Sequence, residues 1–484
     1  MLSTWLTNGY KRSGLEIFIN WSLILEVGSL IIVIFMFFII TIYGIMLIVS
    51  LFQMRRNHSF GNNKPYEKFL KSSFIKPVSI LVPAYNESIG IYGSVRSLLN
   101  IEYPEYEIII INDGSTDNTL EKVLERFQCY KVQRVIRRQL ETKEIKAIYQ
   151  SSIYENLIVI DKWNGGKADA LNAGINVAQY PYIGSLDADS IIEKHAFLKV
   201  VKPMMESNYH VIASGGSVRV ANGSLIENGE VMETKLSKKP IVLMQVIEYL
   251  RAFLIGRIGL SHSNLLLIVS GAFGVFDKKW VVRAGGYADT IGEDMELIVR
   301  LHRMIKEQKL HKKIIFVPDS VCWTEVPESI KYLRKQRKRW QKGLFESIWR
   351  HRTLLFNPKY GSIGMISMPY YFLIEFLSPI IELAGYMLVI ISIFTGDIYV
   401  EIALTFLFLS IIYGTIYSMV SVLLEEWSMD RYPNTNQFIR IFFWSLTESF
   451  WYRPLTVIWR MEGMFELIFG NREWGEMDRK GVSK

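Results

Sequence analysis

The chain has 484 residues, enough for two or three domains, and half of them are hydrophobic. The apolar residues gather in long runs near the two ends around a polar, charge-rich middle, which excludes a uniformly soluble globule and fits a soluble domain flanked by membrane segments. The formal net charge of +8 raises nucleic-acid binding, but no zinc-finger spacing, basic helix or aromatic RNA platform is present, so no nucleic-acid partner is expected.

In chain order, the first strong signal is Leu30 to Phe52, a run without a charged residue. It is about the length that ~20 apolar residues at ~1.5 Å rise need to cross a hydrocarbon core. It is too long for the apolar region of a signal peptide, and no small-residue cleavage site follows it, so a retained helix is expected. Arg55, Arg56 and His58 follow, then Lys64 and Lys68, against only Lys11 and Arg12 before it. By the positive-inside tendency the central domain is expected in the cytosol, with the chain a multi-pass protein of the cell membrane. Much of the basic excess lies where it would meet anionic headgroups, which makes membrane lipids expected partners. Cys129 and Cys322, the two cysteines, lie far apart in this region and imply no disulfide framework; both are expected to be buried thiols.

From Lys76 short apolar runs alternate with helical stretches, the pattern of a mostly parallel sheet wrapped by helices. Pro77 to Val82 reads as the first strand, Ser94 to Asn100 as helix, and Tyr106 to Asn112 as the second strand. Leu157 to Asp161 is a third, followed by a Gly-Gly turn and the helical stretch Ala168 to Val177; Tyr182 to Leu186 is a fourth. Ligands of open α/β sheets bind at the carboxyl ends of the strands. Asn86, Glu87, Asp113, Lys167, Asp187 and Asp189 fall there. Capping and turn formation account for any one of these residues, but much less well for the whole set.

Between Ala221 and Ser270 a polar Gly- and Asn-rich turn gives way to an apolar stretch, Ile241 to Leu260, broken by Glu248, Arg251 and Arg257. This stretch is amphipathic and either lies at the membrane surface or packs on the catalytic domain. After Phe356 the chain is hydrophobic again, with membrane candidates at Pro369 to Thr395 and Val400 to Leu424 around a turn at Gly396 and Asp397. Glu375 and Glu382 interrupt the first and either line a polar conduit or, for Glu375, sit at the interface. Phe438 to Phe469 carries Arg440, Glu448, Arg453, Arg460 and Glu462. Because the tail from Arg472 to Lys484 is basic, an interfacial or re-entrant arrangement is favoured over a fourth crossing. The expected organisation is a segment 1–56 with one transmembrane helix, a catalytic domain 76–345, two transmembrane helices within 356–425, and an amphipathic or membrane-embedded segment with a cytosolic tail at 437–484.

Four groups of residues carry chemistry. Asp187 and Asp189 stand two apart at a strand end and point to one face, where oxygen ligands suit Mg2+ or Mn2+ completing its shell with substrate phosphates. Gly166 and Lys167 suit a backbone approach and a point charge to a phosphate, though the spacing is not that of a P-loop, which argues against an ATPase. Gly292, Glu293 and Asp294 open an amphipathic helix. The helix dipole explains acids there, and a general base is the functional alternative. Gln336 to Trp340 lies in the basic stretch Lys331 to Lys342, which reads as a solvated or lipid-facing helix, or as a sugar-stacking Trp340 with Arg339 on a diphosphate.

Taken in order, these residues resemble the processive, membrane-integrated family 2 glycosyltransferases, including the cellulose, hyaluronan and poly-N-acetylglucosamine synthases. The matching motifs are Val82 to Glu87, Asn112 to Asp117, Gly166 to Asn172, Asp187 to Asp189, Gly292 to Asp294, and Gln336 to Trp340 as Gln-x-x-Arg-Trp. The resemblance implies a GT-A-type, Rossmann-like cytosolic α/β domain flanked by transmembrane α-helices and binding a UDP-sugar donor. It assigns Ala84, Tyr85, Glu87 and Asp113 to the uridine part, Lys167 and Asp187 to the nucleotide side, and Asp189 to a metal, Mg2+ or Mn2+. Asp294 resembles the catalytic base, and Gln336, Arg339 and Trp340 the acceptor end. Inverting transfer to a polysaccharide or lipid-linked acceptor is implied as well.

Two departures stand out. Gly292 replaces the Thr with which many of these synthases begin the base motif. The gating-loop signature of cellulose synthases is absent after Trp340 and no PilZ-like domain follows the last hydrophobic segment, which points away from cellulose. The leading expectation is a polymerase that feeds a β-linked polysaccharide into a pore of its own helices. Single transfer to a lipid carrier, and a non-catalytic export or scaffold subunit, are the alternatives; the intact Asp113, Asp187, Asp189 and Asp294 speak against the last.

Overall fold

The computed structural model describes residues 21–61, 75–207, 210–269, 271–395, 400–429 and 435–469. Lys11, Arg12, Lys64, Lys68, Ser270, the turn at Gly396 and Asp397, and the tail from Arg472 to Lys484 lie outside the described residues.

The core is a ten-stranded sheet ordered β3-β4-β5-β2-β1-β6-β11-β8-β12-β7. Its centre is β1 (Val78–Ala84), with β2 (Tyr106–Asn112) parallel on one side and β6 (Tyr182–Leu186) parallel on the other. Runs such as Ile108 to Ile111 are buried on both faces, as expected of central parallel strands covered by helices. On the outer side are the hairpin strands β3 (Cys129–Val132) and β4 (Ile145–Ser151), then β5 (Leu157–Lys162) against β2. Ala84, Asn112 and Asp161 share one register across β1, β2 and β5, so three carboxyl ends open onto a common edge.

The sheet is mixed, which corrects the expectation of a mostly parallel one. The strand β11 (Phe273–Asp277) runs antiparallel to β6, placing Phe273 opposite Leu186, and the Asp187 N–H donates to the Ala272 carbonyl at 3.3 Å. The segment before β11 thus reaches the carboxyl end of β6. Beyond it lie β8 (Val211–Val220), β12 (Lys313–Thr324) and the two-residue β7 (Ile191–Ile192), while β9 (Leu225–Glu227) and β10 (Glu230–Glu233) form a separate hairpin.

The apolar stretch after that hairpin packs on protein. Its helix Pro240–Leu250, π-helical run Arg251–Arg257 and helix Ile258–His262 bury Val242, Leu243, Met244, Ile247, Leu254 and Ile255. The Ser50 hydroxyl of the first helix, Trp21–Gly61, donates to the Ile255 carbonyl at 2.9 Å.

Two helical stretches among the described residues are long and apolar enough to cross a membrane, Val27–Arg56 and Ile363–Ile391. On the first, Leu30, Ile31, Ile34, Phe37, Phe38, Ile45, Ile48 and Phe52 are exposed, a surface too apolar for water. Val400–Met429 is a third long helix, set against the first through Tyr43, Tyr413 and Tyr417. The charges in the hydrophobic segments are paired: Arg453 holds Glu382 through two 2.9 Å bonds, and the Tyr370 hydroxyl donates to Glu375 at 2.9 Å. The last segment forms helices Thr435–Ser445 and Glu448–Ile468, the second lying along the helix Ile330–Arg350. The basic stretch on that helix meets acids of its neighbours: Arg334 meets Glu462, Lys338 and Lys342 meet Glu466, and Arg337 meets Glu248. It is therefore neither simply solvated nor lipid-facing.

Candidate active site

The loop after β1 is tied to the loop after β2 by Asn86, which takes a left-handed φ of 56°, a conformation asparagine tolerates. Its Oδ1 accepts from the Thr116 N–H at 2.8 Å and the Asp117 N–H at 3.3 Å. Ala84 is buried and its carbonyl accepts from the Asp113 N–H at 2.9 Å; Tyr85 is half exposed, and the Glu87 N–H donates to Thr119 Oγ1 at 2.9 Å.

Asp113 is buried and heavily engaged. It accepts from Lys162 Nζ at 2.6 Å, the Gly165 N–H at 3.0 Å and the Gly166 N–H at 2.8 Å. Lys162 is fully buried and also meets Asp169 at 2.5 Å. Gly166 stands at φ 88°, which favours glycine, and the turn launches the helix Lys167–Val177. Asp113 thus anchors the turn that presents Lys167. Lys162 was missed from the sequence, where it follows Asp161 as one more polar residue at a strand end.

From that turn Lys167 Nζ reaches Asp187 Oδ1 at 2.8 Å, Glu293 Oε1 at 3.1 Å and the Gly271 carbonyl at 3.3 Å. Burial works against its charge, but Asp187 and Glu293 hold its pKa well above the ordinary lysine value. Burial also raises Glu293, against the pull of Lys167. Glu293 is the second group that sequence reasoning underused: it is the acid of its motif that touches Lys167. Its neighbour Asp294 is half-buried at the start of the helix Glu293–Glu307, its Oδ1 accepting from the Met295 N–H at 2.8 Å. Asp294 Oδ2 faces Gly271 so closely that a Cβ there would lie 2.6 Å from it. Lys167 and Asp294 therefore flank one glycine.

Asp187 and Asp189 are both half-buried around the buried Ala188. Cys322 beneath them is a free thiol pushed well above its ordinary range by burial and then by Asp187 and Asp189; Cys129 is also free. Among the described residues no group of three or more His, Cys, Asp or Glu gathers as a metal cage. A pair of partly open carboxylates instead fits a hard cation that takes its remaining ligands from water and substrate phosphates.

The Gln-x-x-Arg-Trp motif lies on the helix Ile330–Arg350. Gln336 is buried and accepts from Arg337 Nη1 at 2.9 Å, Arg339 is half-buried, and Trp340 is 42% exposed. The Arg337 guanidinium covers the Trp340 ring at 4.2 Å and Tyr249 stands 6.4 Å away, centroid to centroid. Burial pushes the Tyr249 hydroxyl up to about 12, and Asp189 is among the charges that add to this, so the motif and the aspartate pair share one neighbourhood. Backbone contact between Gly343 and Gly292 joins this helix to the start of the Asp294 helix.

Strand-end carboxylates, a lysine held over them and an acid at a helix start gather at one end of the sheet. Residues 79–257 match the family model described as Glycosyl transferase family 2, and residues 182–417 the one described as Glycosyl transferase family group 2. Both matches fall on the region that holds this mixed α/β sheet. It is 35% identical over 300 residues to the poly-beta-1,6-N-acetyl-D-glucosamine synthase of Staphylococcus epidermidis, a match covering 60% of this chain and 61% of that one. To the synthase of the same name from Staphylococcus aureus strain COL it is 32% identical over 280 residues, 57% of this chain and 56% of that one. The chain thus spans about three fifths of the length of these relatives. Among solved structures, a mannosyltransferase from Pyrobaculum calidifontis in complex with GDP-Man and Mn2+ aligns at a TM-score of 0.48 and 16% identity, covering 89% of this chain and 99% of that one.

Proposed function

We propose that the protein is an inverting glycosyltransferase that transfers N-acetylglucosamine from its UDP-sugar to a growing β-1,6-linked polysaccharide and feeds the product across the membrane. The observation that carries this reading is the convergence of Lys167, Asp187, Glu293 and Asp294 around Gly271 at the open edge of the sheet. The sugar is inferred from the names of the relatives.

In this reading Ala84, Tyr85, Glu87 and Asp113 form the uridine end of the pocket, with Asp113 also holding the turn below it. Lys167 is pre-oriented by two acids and kept charged, so it meets the donor diphosphate without reorganisation. Asp189, with Asp187 beside it, would hold Mg2+ or Mn2+, which supplies neutralisation of the leaving diphosphate. Asp294 takes the proton of the acceptor hydroxyl as that oxygen attacks the anomeric carbon from the face opposite the leaving group, which inverts the configuration. Trp340 stacks the acceptor sugar, and Gln336 and Arg339 line the same end. Arg55 and Arg56, both exposed at the end of the first apolar stretch, support a cell-membrane, multi-pass arrangement with the catalytic domain in the cytosol.

The test is sugar incorporation by the purified full chain in lipid vesicles, with radiolabelled UDP-N-acetylglucosamine, Mg2+ or Mn2+, and sizing of the product. A high-molecular-weight β-linked polymer is expected. A short lipid-linked product would replace polymerisation by single transfer, and no incorporation from any UDP-sugar would remove the reading.

A further inference from the structure

Four buried or half-buried arginines of the catalytic domain and the helices packed on it have carboxylate partners. Arg219 meets Glu425 at 2.7 Å, Arg251 meets Glu448 at 2.7 Å, Arg337 meets Glu248 at 2.5 Å and Arg453 meets Glu382 at 2.9 Å. Arg257 departs from this pattern. Its Nη1 is buried and has no hydrogen-bond partner among the described residues, and its guanidinium sits 3.6 Å over the Phe253 ring. Burial brings its pKa down to about 10, and the titratable groups facing it, Tyr371, Asp294, Tyr249 and Cys322, form no ion pair with it.

The backbone aims it there. Arg251 and Arg257 bracket the π-helical run, where i to i+5 bonding widens the turn and rotates the next helical segment; such runs are frequent at functional sites. Arg251 is turned to Glu448 and Ser418, and Arg257 lies over the Phe253 ring. From Arg257 an aromatic path runs through Phe253 and Tyr249, 5.9 Å apart, to Trp340, and Asp294 is near enough to favour its charge. Trp340 and Asp294, the two groups an acceptor sugar would engage, thus both connect to the surroundings of this guanidinium. A guanidinium nitrogen buried without a hydrogen-bond partner lowers stability, so its presence at that place calls for a ligand.

We propose that Arg257 is an acceptor-binding residue: its unpaired fork donates to a hydroxyl or amide carbonyl oxygen of the acceptor's terminal sugar and so turns the attacking hydroxyl towards Asp294. This rests on the glycosyltransferase reading above. It separates acceptor recognition, on the π-helical run, from donor recognition at the strand ends.

The experiment uses the full chain in vesicles, as wild type, Arg257→Met and Arg257→Lys. Read out are the thermal midpoint, UDP affinity by titration, and the initial rate against the concentration of a short β-1,6-linked N-acetylglucosamine oligomer. Arg257→Met is expected to keep or raise the thermal midpoint, to bind UDP as wild type does, and to raise the acceptor KM at least tenfold, with Arg257→Lys in between. Weakened UDP binding with an unchanged acceptor KM would move Arg257 to the donor phosphates and overturn the proposal. So would a lowered thermal midpoint with unchanged KM, which makes the residue structural. If wild type binds UDP and transfers sugar but Arg257→Met behaves identically, only the Arg257 assignment fails. If wild type does neither, the underlying transferase reading fails.

Discussion

Gly292 and Gly343 stand backbone to backbone. A Cβ on Gly343 would lie 3.0 Å from the Gly292 Cα, and one on Gly292 would lie 2.9 Å from the Gly343 carbonyl oxygen. This contact sets the helix carrying Trp340 against the start of the helix carrying Asp294, and the Ser347 hydroxyl, bonded to the Gly343 carbonyl in its own helix, also reaches the Gly292 carbonyl across it at 3.4 Å. It also explains why a glycine occupies the place where many related synthases have a threonine.

Gly292→Thr, which restores that threonine, is therefore expected to destabilise. The neighbour is backbone and cannot swing aside, so overpacking costs about 1–3 kcal/mol. Thermal unfolding in detergent should show a lowered midpoint, and turnover should fall more than donor affinity. A variant that melts and turns over like wild type would refute the contact.

Asp294→Asn is expected to lower transfer by about 10²–10⁴-fold, the usual worth of a positioned general base, while UDP binding stays intact. Initial rates and UDP titration on the same preparation check it. Retained turnover removes Asp294 as the base.

For Asp189→Ala the expected loss is of metal-dependent donor binding. Titration of UDP with and without Mn2+ should show a metal effect in wild type and none in the variant; an unchanged effect counts against the metal seat.

Lys162→Met would strand the buried Asp113 carboxylate and leave Asp169 without its cation, which costs about 3–5 kcal/mol when one partner of a buried pair is lost. The turn at Gly165 and Gly166 should loosen with it, so both the thermal midpoint and UDP affinity are expected to drop. Adding Asp169→Asn should recover part of the stability. A Met variant as stable as wild type would mean that the Lys162 network holds nothing.

His302 supplies a pH dependence. It is fully buried, its Nε2–H facing the Leu266 carbonyl at 2.9 Å, and burial depresses its pKa to about 4. The unfolded chain, with an ordinary value of about 6.5, binds more protons between those two values, so stability rises with pH across that window and is lost as pH falls from about 6.5 towards 4. Melting curves over that range should lose this slope in His302→Gln, whose amide can still donate to Leu266. An identical slope in both proteins would assign the acid sensitivity to other groups.

The central strands were legible because β1, β2 and β6 are apolar runs closed by polar residues, as strands covered on both faces are. The hairpin strands β3 and β4 were not, since half-exposed residues such as Tyr130 and Lys131 carry little periodic signal. The antiparallel course of β11 was hidden for a different reason: direction in a sheet is set by the path of the chain through space and leaves no mark on strand composition. Lys162 looked like the polar end of a strand, and its burial becomes visible only once Asp113 and Asp169 close on it.

By itself the sequence determined the apolar first helix, the α/β middle, and which acids, lysine and tryptophan are candidates for the chemistry, because hydrophobic periodicity and strand-end polarity are local properties. Only the tertiary structure decided which of those groups meet. Lys167 joins Asp187 and Glu293 across separate strands and helices, Gly343 finds Gly292, and among the described residues Arg257 is left without a paired carboxylate while Arg219, Arg251, Arg337 and Arg453 have one. Such pairings depend on close packing between segments far apart in the chain, where the reach of a side chain and the absence of a Cβ settle the outcome.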